Sequence, residues 1–417
     1  MARTSRSILV VGGGPAGATC AFWLAKGGSE VTVVERSTEK FTYGQGIDIT
    51  GPAVQIVQRM GIYGAILSKT TGEGGFAILD DSGNTIARVG AGEGATLTQE
   101  IEVMRGDLTK LLAEAADASD KVTYRYGCTV SEIRQSEQHV TAVLSDNNGK
   151  AEDFVAIIGA DGLRSKTRQM ILDRDIVANC YKSLDQYCSF FSFKGQPEDA
   201  PDSRVQHAPG RRAILVRPVK VDSSERSSCY MLYTVNSTEM ASALDQPLDK
   251  QRATVARVFE DFPGRIGKRA LEGMWDAKDF YYSETAQVKL PRWSSGRCVL
   301  VGDAAYASSP ASGQGTTLAI LGSYLLAGEL ASNPDNPSAA FAKYEQLFRG
   351  YVNKAQTIPL GGTLLKLANP ETYTGIYVLR VFFWFIAWSG IWKWIKIKQG
   401  NDFDLPGYDF ETADMRA

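Results

Sequence analysis

The chain has 417 residues, more than one hydrophobic core usually supports, so two domains are expected. Hydrophobic residues make up 44% of the sequence and the formal net charge is −2, which gives no basic character for binding nucleic acid. The six cysteines lack metal-ligand spacing and only two histidines occur, which argues against a metal site and against a Ser-His-Asp triad. Because a strand begins at about residue 7, no signal peptide is expected, and we predict a cytoplasmic protein with reduced thiols.

The N-terminal stretch predicts a complete βαβ unit. Apolar runs at 7–11 and 31–34 are typical of buried strands, and 18–26 is typical of the helix between them. The glycines of the first turn fit the GxGxxG fingerprint of dinucleotide-binding folds, in which a pyrophosphate lies at the helix N-terminus. Glu35 ends the second strand, where a carboxylate accepts hydrogen bonds from ribose hydroxyls. Together these features predict a dinucleotide site.

The middle of the chain predicts further helices and strands. Gly44 and Gly46 allow the backbone to approach a flat or crowded group. Periodicity predicts helices at 52–60, 108–117 and 165–172, strands within 71–103, a meander over 122–126, 128–135 and 139–145, and a buried strand at 154–158. That buried strand leads into Gly159-Ala160-Asp161-Gly162.

A change of composition after residue 172 indicates a second domain. Alternating patterns predict antiparallel strands at 189–193, 213–219 and 229–235, then a helix at 249–262. Another buried strand, 298–301, ends in Gly302-Asp303, and helices follow at 316–330 and 338–355. The predicted parts are a discontinuous first domain at 1–70, 105–172 and 291–370, a second domain at 71–104 and 173–290, and a C-terminal apolar helix and tail at 371–417.

Three predicted strand ends carry Gly/Asp clusters, at 12–17, 159–162 and 302–303. Open α/β sheets bind ligands at the carboxyl ends of their strands, so one large ligand along all three is expected. Five motifs occur in the order found in class A FAD-dependent monooxygenases. They are the first-turn glycines with Glu35-Arg36, the RGDL run from Arg105, the cluster at 159–162, Gly302-Asp303, and the PASGQG run at 310–315. This aromatic-hydroxylase family includes p-hydroxybenzoate hydroxylase and the tetracycline-inactivating monooxygenases, and the chain resembles it over about residues 7–330. The resemblance implies an α/β fold: a Rossmann-like, GR2-type FAD-binding domain with an inserted antiparallel β-sheet substrate domain and C-terminal helices.

The resemblance also implies which residues hold FAD. The first-turn glycines would hold the pyrophosphate, Glu35 the adenosine ribose, and Arg105 the ribityl and pyrophosphate groups. Asp303 would bind a ribityl hydroxyl. The full implied set is Gly12, Gly14, Ala16, Gly17, Glu35, Arg36, Gln45, Gly46, Arg105, Asp161, Gly162, Asp303, Gly313, Gln314, Gly315 and Thr316. Taken singly, Arg105, Asp161 and Asp303 also fit a surface arginine, a turn and a helix N-cap.

Members of this family use two co-substrates, and the resemblance implies both here. NAD(P)H reduces the flavin and leaves, and O2 forms a C4a-hydroperoxide whose distal oxygen goes to the substrate. The chain has no second GxGxxG βαβ unit for a nicotinamide nucleotide, in keeping with a transient site. Where the family often has histidine after Gly-Asp-Ala-Ala, this chain has Tyr306, so no role of that histidine carries over.

Residues that contact the substrate are expected on the 173–290 sheet. Arg217 and Tyr233 lie on predicted strands and are the candidates to orient or deprotonate a phenol. Arg212 and Tyr230 are rival candidates, and each of the four also fits an ordinary edge-strand residue.

The C-terminal segment 376–392 is apolar and aromatic, is interrupted by Arg380, and is followed by Lys393, Lys396 and Lys398. As a helix it would reach about 25 Å, short of a hydrocarbon core of about 30 Å, so a spanning helix is not expected. Two interpretations remain. The helix packs over the substrate pocket as part of the core, which we favour, or residues 376–398 lie in a membrane interface with the lysines toward the headgroups.

The sequence as a whole predicts an FAD-dependent monooxygenase of secondary metabolism. It would use NAD(P)H and O2 to hydroxylate or epoxidise a small hydrophobic, aromatic or polycyclic substrate. Two other functions remain open. One is an FAD-dependent reductase or dehydrogenase of an apolar, polyprenyl-type substrate, which the apolar C-terminal segment would suit. The other is a flavin-binding protein without turnover.

Overall fold

The computed structural model describes residues 6–38, 44–90, 101–146, 149–220, 223–358, 362–391 and 403–410. The largest apolar core surrounds a six-stranded sheet. Across the sheet the strands are β17 (Ser294–Ser295), β18 (Cys298–Leu300), β11 (Ala156–Gly159), β1 (Ser7–Val11), β2 (Glu30–Glu35) and β7 (Val122–Tyr126). Neighbouring strands run parallel except β17 and β18, so the carboxyl ends of β1, β2 and β11 meet at one edge of the sheet.

The predicted βαβ unit is confirmed. Helix α1 (Pro15–Lys26) connects β1 to β2 and packs against α4 (Arg105–Asp117) and α11 (Gly315–Ser332). Nearly every side chain of α11 is buried, which explains why its sequence is apolar on all sides rather than amphipathic. This helix therefore fixes the position of α1 and of the turn that precedes it.

The other helices lie around the two large sheets. They are α2 (Pro52–Arg59), α3 (Tyr63–Leu67), α5 (Lys166–Ile171), α6 (Arg174–Cys180), α7 (Thr238–Ala243), α8 (Leu248–Phe259), α9 (Gly264–Asp276), α10 (Asp303–Tyr306), α12 (Pro337–Ala355), α13 (Thr363–Ala368) and α14 (Tyr373–Ser389), with short 3₁₀ helices at Pro197–Asp199 and Pro310–Ser312. Helix α9 is absent from the sequence prediction, which ends its helix at residue 262, before the Pro263-Gly264 break. After that break a new helix begins and buries Ala270 and Met274.

The second large sheet has seven strands. Across the sheet they are β16 (Tyr281–Val288), β12 (Tyr181–Lys194), β15 (Ser223–Thr234), β14 (Arg212–Lys220), β13 (Asp202–Ala208), β4 (Gly75–Leu79) and β5 (Thr85–Gly90). The sheet is antiparallel as predicted, except that β13 and β4 run parallel. Strands β4 and β5 come from the 71–104 segment, while the division of the chain into domains stays a prediction.

The seven-stranded sheet has two different faces. One face buries Phe191, Val216 and Met231 together with residues of α8 and α9. Side chains alternate along a strand, so Leu215 of β14 and Leu232 of β15 lie on the other face. Arg217 and Tyr230 share that second face, which we call the site face.

The remaining strands form two small sheets. Strands β8 (Val130–Gln135), β9 (Val140–Leu144) and β10 (Ala151–Phe154) form an antiparallel meander, and β3 (Gly46–Asp48) pairs with β6 (Glu102–Met104). The prediction that 122–126 belongs to the meander is wrong, because that strand pairs in parallel with β2. It follows helix α4, and a strand entered from a helix is the usual way to extend a parallel sheet.

Helix α14 lies on the site face, over β5 and β13. Phe383 and Ala387 pack beside the apolar residues of that face, but Ile376 is the one fully buried residue of the helix among those described. The interpretation of α14 as part of the core is therefore wrong for its outer side, where aromatic residues are exposed. Within the described ranges, no helix combines the length and hydropathy needed to cross a bilayer.

Candidate active site

The first βα turn forms an open cradle at the carboxyl end of β1. Gly12 has a φ of +107°, and a Cβ there would lie 2.5 Å from the Ala160 carbonyl oxygen. A Cβ at Gly17 would overlap the Gly12 carbonyl oxygen, whereas a Cβ at Gly14 would meet no described atom within 4 Å. Gly12 and Gly17 thus allow strand and helix to pack closely, while Gly14 leaves room for a ligand.

Glu35 lies beside this turn and is 6% exposed. Its Oε2 accepts a hydrogen bond from the Gly13 N–H at 2.8 Å, and its Oε1 accepts one from the Ser37 N–H at 2.9 Å. Each oxygen keeps a further lone pair, so the fixed carboxylate still has acceptor capacity for hydroxyl groups. Of the neighbouring predicted residues, Arg36 is exposed and Ala16 is buried below the turn.

Arg105 acts electrostatically on Asp303, although the two residues are far apart in sequence. The Arg105 N–H donates to the Gln45 carbonyl oxygen at 2.9 Å, and a Cβ at Gly44 would lie 2.9 Å from the Arg105 Cβ. Asp303 is exposed to solvent, as expected for the wall of a cleft. The protein atoms around its carboxyl group raise the pKa of that group, and the charge of Arg105 acts against the shift.

The N-terminus of α11 completes this cleft. Gly313 is left-handed with a φ of +61°, Gly315 begins the helix, and a Cβ at either would meet no described atom within 4 Å. The side-chain oxygen of Gln314 is buried and has no hydrogen-bond donor among the described residues. The half-buried Thr316 lies in the first turn, where free N–H groups and the helix dipole favour negative charge. This end of the helix therefore suits a polar, electron-rich ligand.

Asp161 lies just before helix α5 and is held there by its own hydrogen bonds. Its Oδ1 accepts a hydrogen bond from the Ser165 hydroxyl at 2.5 Å, and its Oδ2 accepts from the Thr167 N–H and hydroxyl at 2.9 and 3.0 Å. Gly162, with a φ of +78°, allows the chain to turn into α5. Three hydrogen bonds thus hold the Asp161 carboxylate at the start of α5, and its contact with FAD stays a prediction.

Tyr306, where the resembling family often has histidine, belongs to the core. It is 1% exposed, its hydroxyl lies 2.8 Å from that of Tyr344, and its ring packs on Trp293 at a centroid distance of 4.8 Å. The departure from the family pattern therefore affects packing below the cleft.

A group of charged side chains lies between the site face and strand β3. The Nε and Nη2 of Arg217 donate to Glu73 Oε1 and Oε2 at 2.6 and 2.7 Å, and Nη2 also lies 2.5 Å from Glu102 Oε1. The side chains of Glu73 and Glu102 are 2% and 4% exposed, so one guanidinium is shared by two buried carboxylates. A Cβ at Gly46 would overlap Glu102, which shows how close this group lies to β3.

Asp48 is the third carboxylate of the group. It pairs directly opposite Glu102 between β3 and β6, is half-buried, and receives no hydrogen bond from any described residue. Burial raises the pKa of Asp48 to about 6, with Arg217 acting against the shift and Glu73 adding to it. Burial likewise raises the pKa of Glu102. We call Asp48, Glu73, Glu102 and Arg217 the acidic cluster.

An aromatic row crosses three strands of the site face beside the acidic cluster. The Tyr230 hydroxyl accepts a hydrogen bond from the Gly46 N–H at 2.9 Å, and Arg217 lies 5.9 Å from the centre of its ring. Phe190 stands opposite Tyr230 and Tyr281 opposite Phe190, with centroid distances of 5.0 and 6.2 Å. Tyr230, Phe190 and Tyr281, which we call the aromatic row, offer a ring-shaped ligand an apolar wall.

The structure does not bring Tyr233, predicted as a catalytic residue together with Arg217, to the site face. Tyr233 packs with the residues of α8 and α9 on the opposite face of the sheet, because it is an odd number of residues from Tyr230. The rival Arg212 lies on that opposite face as well, where it donates to the Val258 carbonyl oxygen at 2.7 Å. The structure instead brings Tyr230 to Arg217.

The sequence analysis missed the acidic partners of Arg217. Glu102 carried a usable signal, because a charged residue within the apolar run Ile101-Glu102-Val103-Met104 requires a buried partner. Glu73 and Asp48 stand in segments without such periodicity, so only the fold brings them to Arg217.

The cleft fits FAD and defines a class of protein, an α/β flavoprotein. Open space at Gly14, Gly313 and Gly315, the unsatisfied oxygen of Gln314 and the accessible carboxylate of Asp303 match a long ligand with phosphates and hydroxyls. The FAD binding domain family matches residues 5–346, and the chain belongs to this family as a class A FAD-dependent monooxygenase.

Known proteins resemble the chain over nearly its whole length. Monooxygenase CTB7 of Cercospora beticola is 47% identical over 424 residues, 99% of this chain and 100% of that protein. Flavin-dependent monooxygenase eupH of Phoma sp is 31% identical over 94% of each chain. Among solved structures, tetracycline destructase Tet(51) has a TM-score of 0.77 and 28% identity, covering 97% of this chain and 100% of that one. Klebsiella pneumoniae HpxO, complexed with FAD and uric acid, shares the fold at a TM-score of 0.69 and 18% identity, covering 93% of this chain and 95% of that one.

Proposed function

We propose that this monooxygenase uses NAD(P)H and O2 to add one oxygen atom to a small hydrophobic substrate of the aromatic or polycyclic type. The hydrogen bond from the Gly46 N–H to the Tyr230 hydroxyl, 2.9 Å long, carries this proposal. It joins strand β3, whose Gly46 is one of the residues that the family resemblance assigns to FAD and which we propose lines the flavin ring, to the aromatic row of the site face. A flat substrate on that row would lie next to the cofactor.

FAD would lie along the cleft from β1 to the N-terminus of α11. Glu35 would hold the adenosine ribose, and Asp303 would hold a ribityl hydroxyl. Arg105 would contact the ribityl and pyrophosphate groups, and the open space at Gly14 would give the pyrophosphate room. Bound FAD supplies the oxygen activation that amino-acid side chains lack. The chain's own residues hold and orient the substrate, exclude water, and stabilise negative charge at the N-terminus of α11.

Two observations support a ring-shaped, apolar substrate. The site face carries the aromatic row at one end and Leu215 and Leu232 beside Phe383 of α14 at the other. Tet(51) is named for its action on tetracycline, and HpxO was solved with uric acid, so ring substrates occur among proteins of this fold. Hydroxylation or epoxidation of such a ring would use the same oxidant.

Oxygen consumption with product analysis tests this function. The purified yellow enzyme is supplied with NADPH or NADH and a panel of aromatic metabolites, and a product 16 mass units heavier than its substrate is expected. NAD(P)H oxidation without O2 uptake, together with a product that has gained two hydrogen atoms, would instead favour the alternative function as an FAD-dependent reductase of apolar substrates. The proposal would be contradicted if neither NADPH nor NADH reduced the flavin with any of the tested metabolites present.

We further propose that the outer side of α14 contacts an anionic membrane surface. A helix on a protein surface normally exposes polar residues, yet Tyr377, Phe382, Trp384, Phe385 and Trp388 of α14 are 49–71% exposed. In sequence the helix is followed by Lys393, Lys396 and Lys398, whose charge would complement acidic headgroups. Co-sedimentation with phosphatidylserine-containing vesicles is expected, and its absence at low salt would contradict this contact.

A further inference from the structure

A cavity of about 90 Å³ adjoins helix α10 and is separate from the cleft that fits FAD. Ala305 and Tyr306 of α10 line the cavity, whereas Asp303 of the same helix, which is exposed at the cleft, does not. None of the described residues that line the cavity belongs to the set predicted to hold FAD. Tyr306 also stands where the resembling family often has histidine, so this wall of the cavity is a departure from the family pattern.

The lining of the cavity carries one uncompensated positive charge. Lys289, which follows β16, is exposed at the rim and forms no ion pair with any residue that the structure describes. Burial lowers the pKa of Lys289, and the nearby charge of Lys182 lowers it further. Arg349, the other cation of the lining, is paired with Glu345 and adds no free charge. Since no acidic side chain is found among the described lining residues, an anion beside Lys289 would be stabilised.

Trp293 provides a second, independent sign of a missing ligand. This lining residue is 0% exposed, and its indole Nε1–H is buried without an acceptor among the described residues. The ring is held firmly, because the Arg349 guanidinium lies 4.2 Å from its centre and the Trp293 backbone N–H donates to Glu345 Oε2 at 2.9 Å. A buried donor without an acceptor is costly, and a ligand oxygen in the cavity would remove that cost.

We propose that this cavity binds a short-chain carboxylate, whose oxygens lie between the Lys289 ammonium and the Trp293 indole N–H. The remaining walls suit a hydrocarbon chain, because they include the buried side chains of Val288, Leu290 and Val352. The volume of about 90 Å³ is only three times the roughly 30 Å³ that one water occupies in the liquid, so the chain is limited to a few carbons. This inference goes beyond the proposed function, since the cavity lies outside the cleft.

Ligand-observed NMR on the FAD-loaded enzyme tests the site, with butyrate as the probe and butyramide as its neutral analogue. The saturation-transfer signal of butyrate at pH 7.5 is expected to reach a plateau as the butyrate concentration rises. Butyramide is expected to bind at least roughly tenfold more weakly, because it has the same shape without the charge. The absence of saturable butyrate binding, or equal binding of butyramide, would overturn the proposal.

Two variants and a control locate the bound anion. Lys289→Met removes the charge and keeps a long side chain, so butyrate should bind at least roughly tenfold more weakly. Asn353→Trp places a bulky ring at an exposed position of the lining, away from the core, and should also weaken butyrate binding. Lys268→Met on α9, where the lysine side chain is 81% exposed, is the matched control and should bind butyrate like the wild type. Unchanged butyrate binding in folded Lys289→Met protein would overturn the assignment.

The flavin absorbance spectrum distinguishes this cavity from the cleft. Butyrate is expected to leave the spectrum unchanged, because the described residues that line the cavity are not those assigned to FAD. A spectral change that accompanies butyrate binding and persists in Lys289→Met would place the anion in the cleft and overturn the assignment. An enzyme that binds butyrate in this way but oxygenates no substrate would retain the site and contradict the proposed function.

Discussion

At the scale of single residues, Arg217 holds two buried carboxylates together, so its first contribution is to stability. Arg217→Ala would leave Glu73 and Glu102 buried without a cation, which should lower the free energy of unfolding by about 3–5 kcal/mol. Urea unfolding followed by circular dichroism measures this. Arg134→Ala, which removes an exposed pair with Glu132, is the control and should change little. Equal stability of the two variants would show that the acidic cluster does not depend on Arg217.

Asp48 should make binding depend on pH. Its pKa, raised by burial to about 6, means that the carboxylate is ionised above that pH and protonated below it. Since the ionised form is the better hydrogen-bond acceptor, the affinity of the FAD-loaded enzyme for a neutral phenol such as 1-naphthol, followed by the flavin absorbance spectrum, is expected to fall as the pH drops through about 6. Asp48→Asn should remove this change. Arg217, Glu73 and Glu102 act on the charge of Asp48, and the pKa of Glu102 is also raised. An inflection that persists in Asp48→Asn would therefore belong to Glu102.

Adding a methyl group at two glycines of the first turn should affect different properties, FAD binding at Gly14 and protein stability at Gly17. Gly14→Ala places its Cβ in open space, so the apoprotein should keep its melting temperature while FAD binds roughly tenfold more weakly or worse, about 1.4 kcal/mol. Gly17→Ala places its Cβ on the Gly12 carbonyl oxygen, so the protein itself should be destabilised. Thermal unfolding and FAD fluorescence quenching measure the two effects. Loss of stability in Gly14→Ala would show that the space at Gly14 serves packing rather than a ligand.

The residues whose positions the sequence predicts well are those fixed by local chain geometry. Gly12, Gly17 and Glu35 are set by one turn and the strands beside it, so spacing alone locates them. The substrate side depends on which face of a strand a residue occupies. From the sequence Tyr233 is preferred and Tyr230 is kept as a rival, and only the register of β15 against its neighbours shows which of the two lies on the site face.

At the scale of elements, the exposed tryptophans of α14 should control membrane contact. Trp384 and Trp388 stack at a centroid distance of 5.9 Å on the outer side of the helix and are 49% and 71% exposed. Replacing both with serine should reduce vesicle binding by roughly tenfold or more, since a buried aromatic side chain is worth about 1.5–3 kcal/mol. Trp275→Ser on α9, also 49% exposed, is the matched control and should bind like the wild type. An equal loss of vesicle binding in the control would indicate nonspecific hydrophobic adsorption rather than a membrane-binding face on α14.

Elements with strong periodicity were predictable, and elements defined by distant partners were not. Helices α1, α4 and α11 follow directly from apolar spacing, and a glycine marks the start of α1 and of α11. Strand β7 has the same alternation as the meander strands, yet it pairs with β2, because alternation describes burial and not the partner. The outer side of α14 was unpredictable for a similar reason: an apolar helix sequence does not show what covers each side.

At the scale of the whole molecule, the two large sheets are connected where cofactor and substrate would meet. Strand β3 pairs with β6, and Gly46 of β3 is hydrogen-bonded to Tyr230 of the seven-stranded sheet. The neighbouring cleft runs along the carboxyl ends of the six-stranded sheet to the N-terminus of α11. A ligand that fills the cleft would therefore touch the six-stranded sheet and strand β3, and it would strengthen the connection that β3 makes to the seven-stranded sheet through Tyr230.

FAD should accordingly stabilise the molecule as a whole. A ligand that binds only the folded state adds RT ln(1 + [L]/Kd), which is about 2.7 kcal/mol at 100 times Kd. The melting temperature of the apoprotein should rise with FAD concentration, and circular dichroism and tryptophan fluorescence should report the same shift, because the tryptophans lie in both parts of the structure, as Trp23 on α1 and Trp275 on α9 show. Gly14→Ala should reduce the shift at a given FAD concentration. If FAD binds but only one of the two signals moves, the cleft stabilises one sheet alone and the connection through β3 is too weak to couple them.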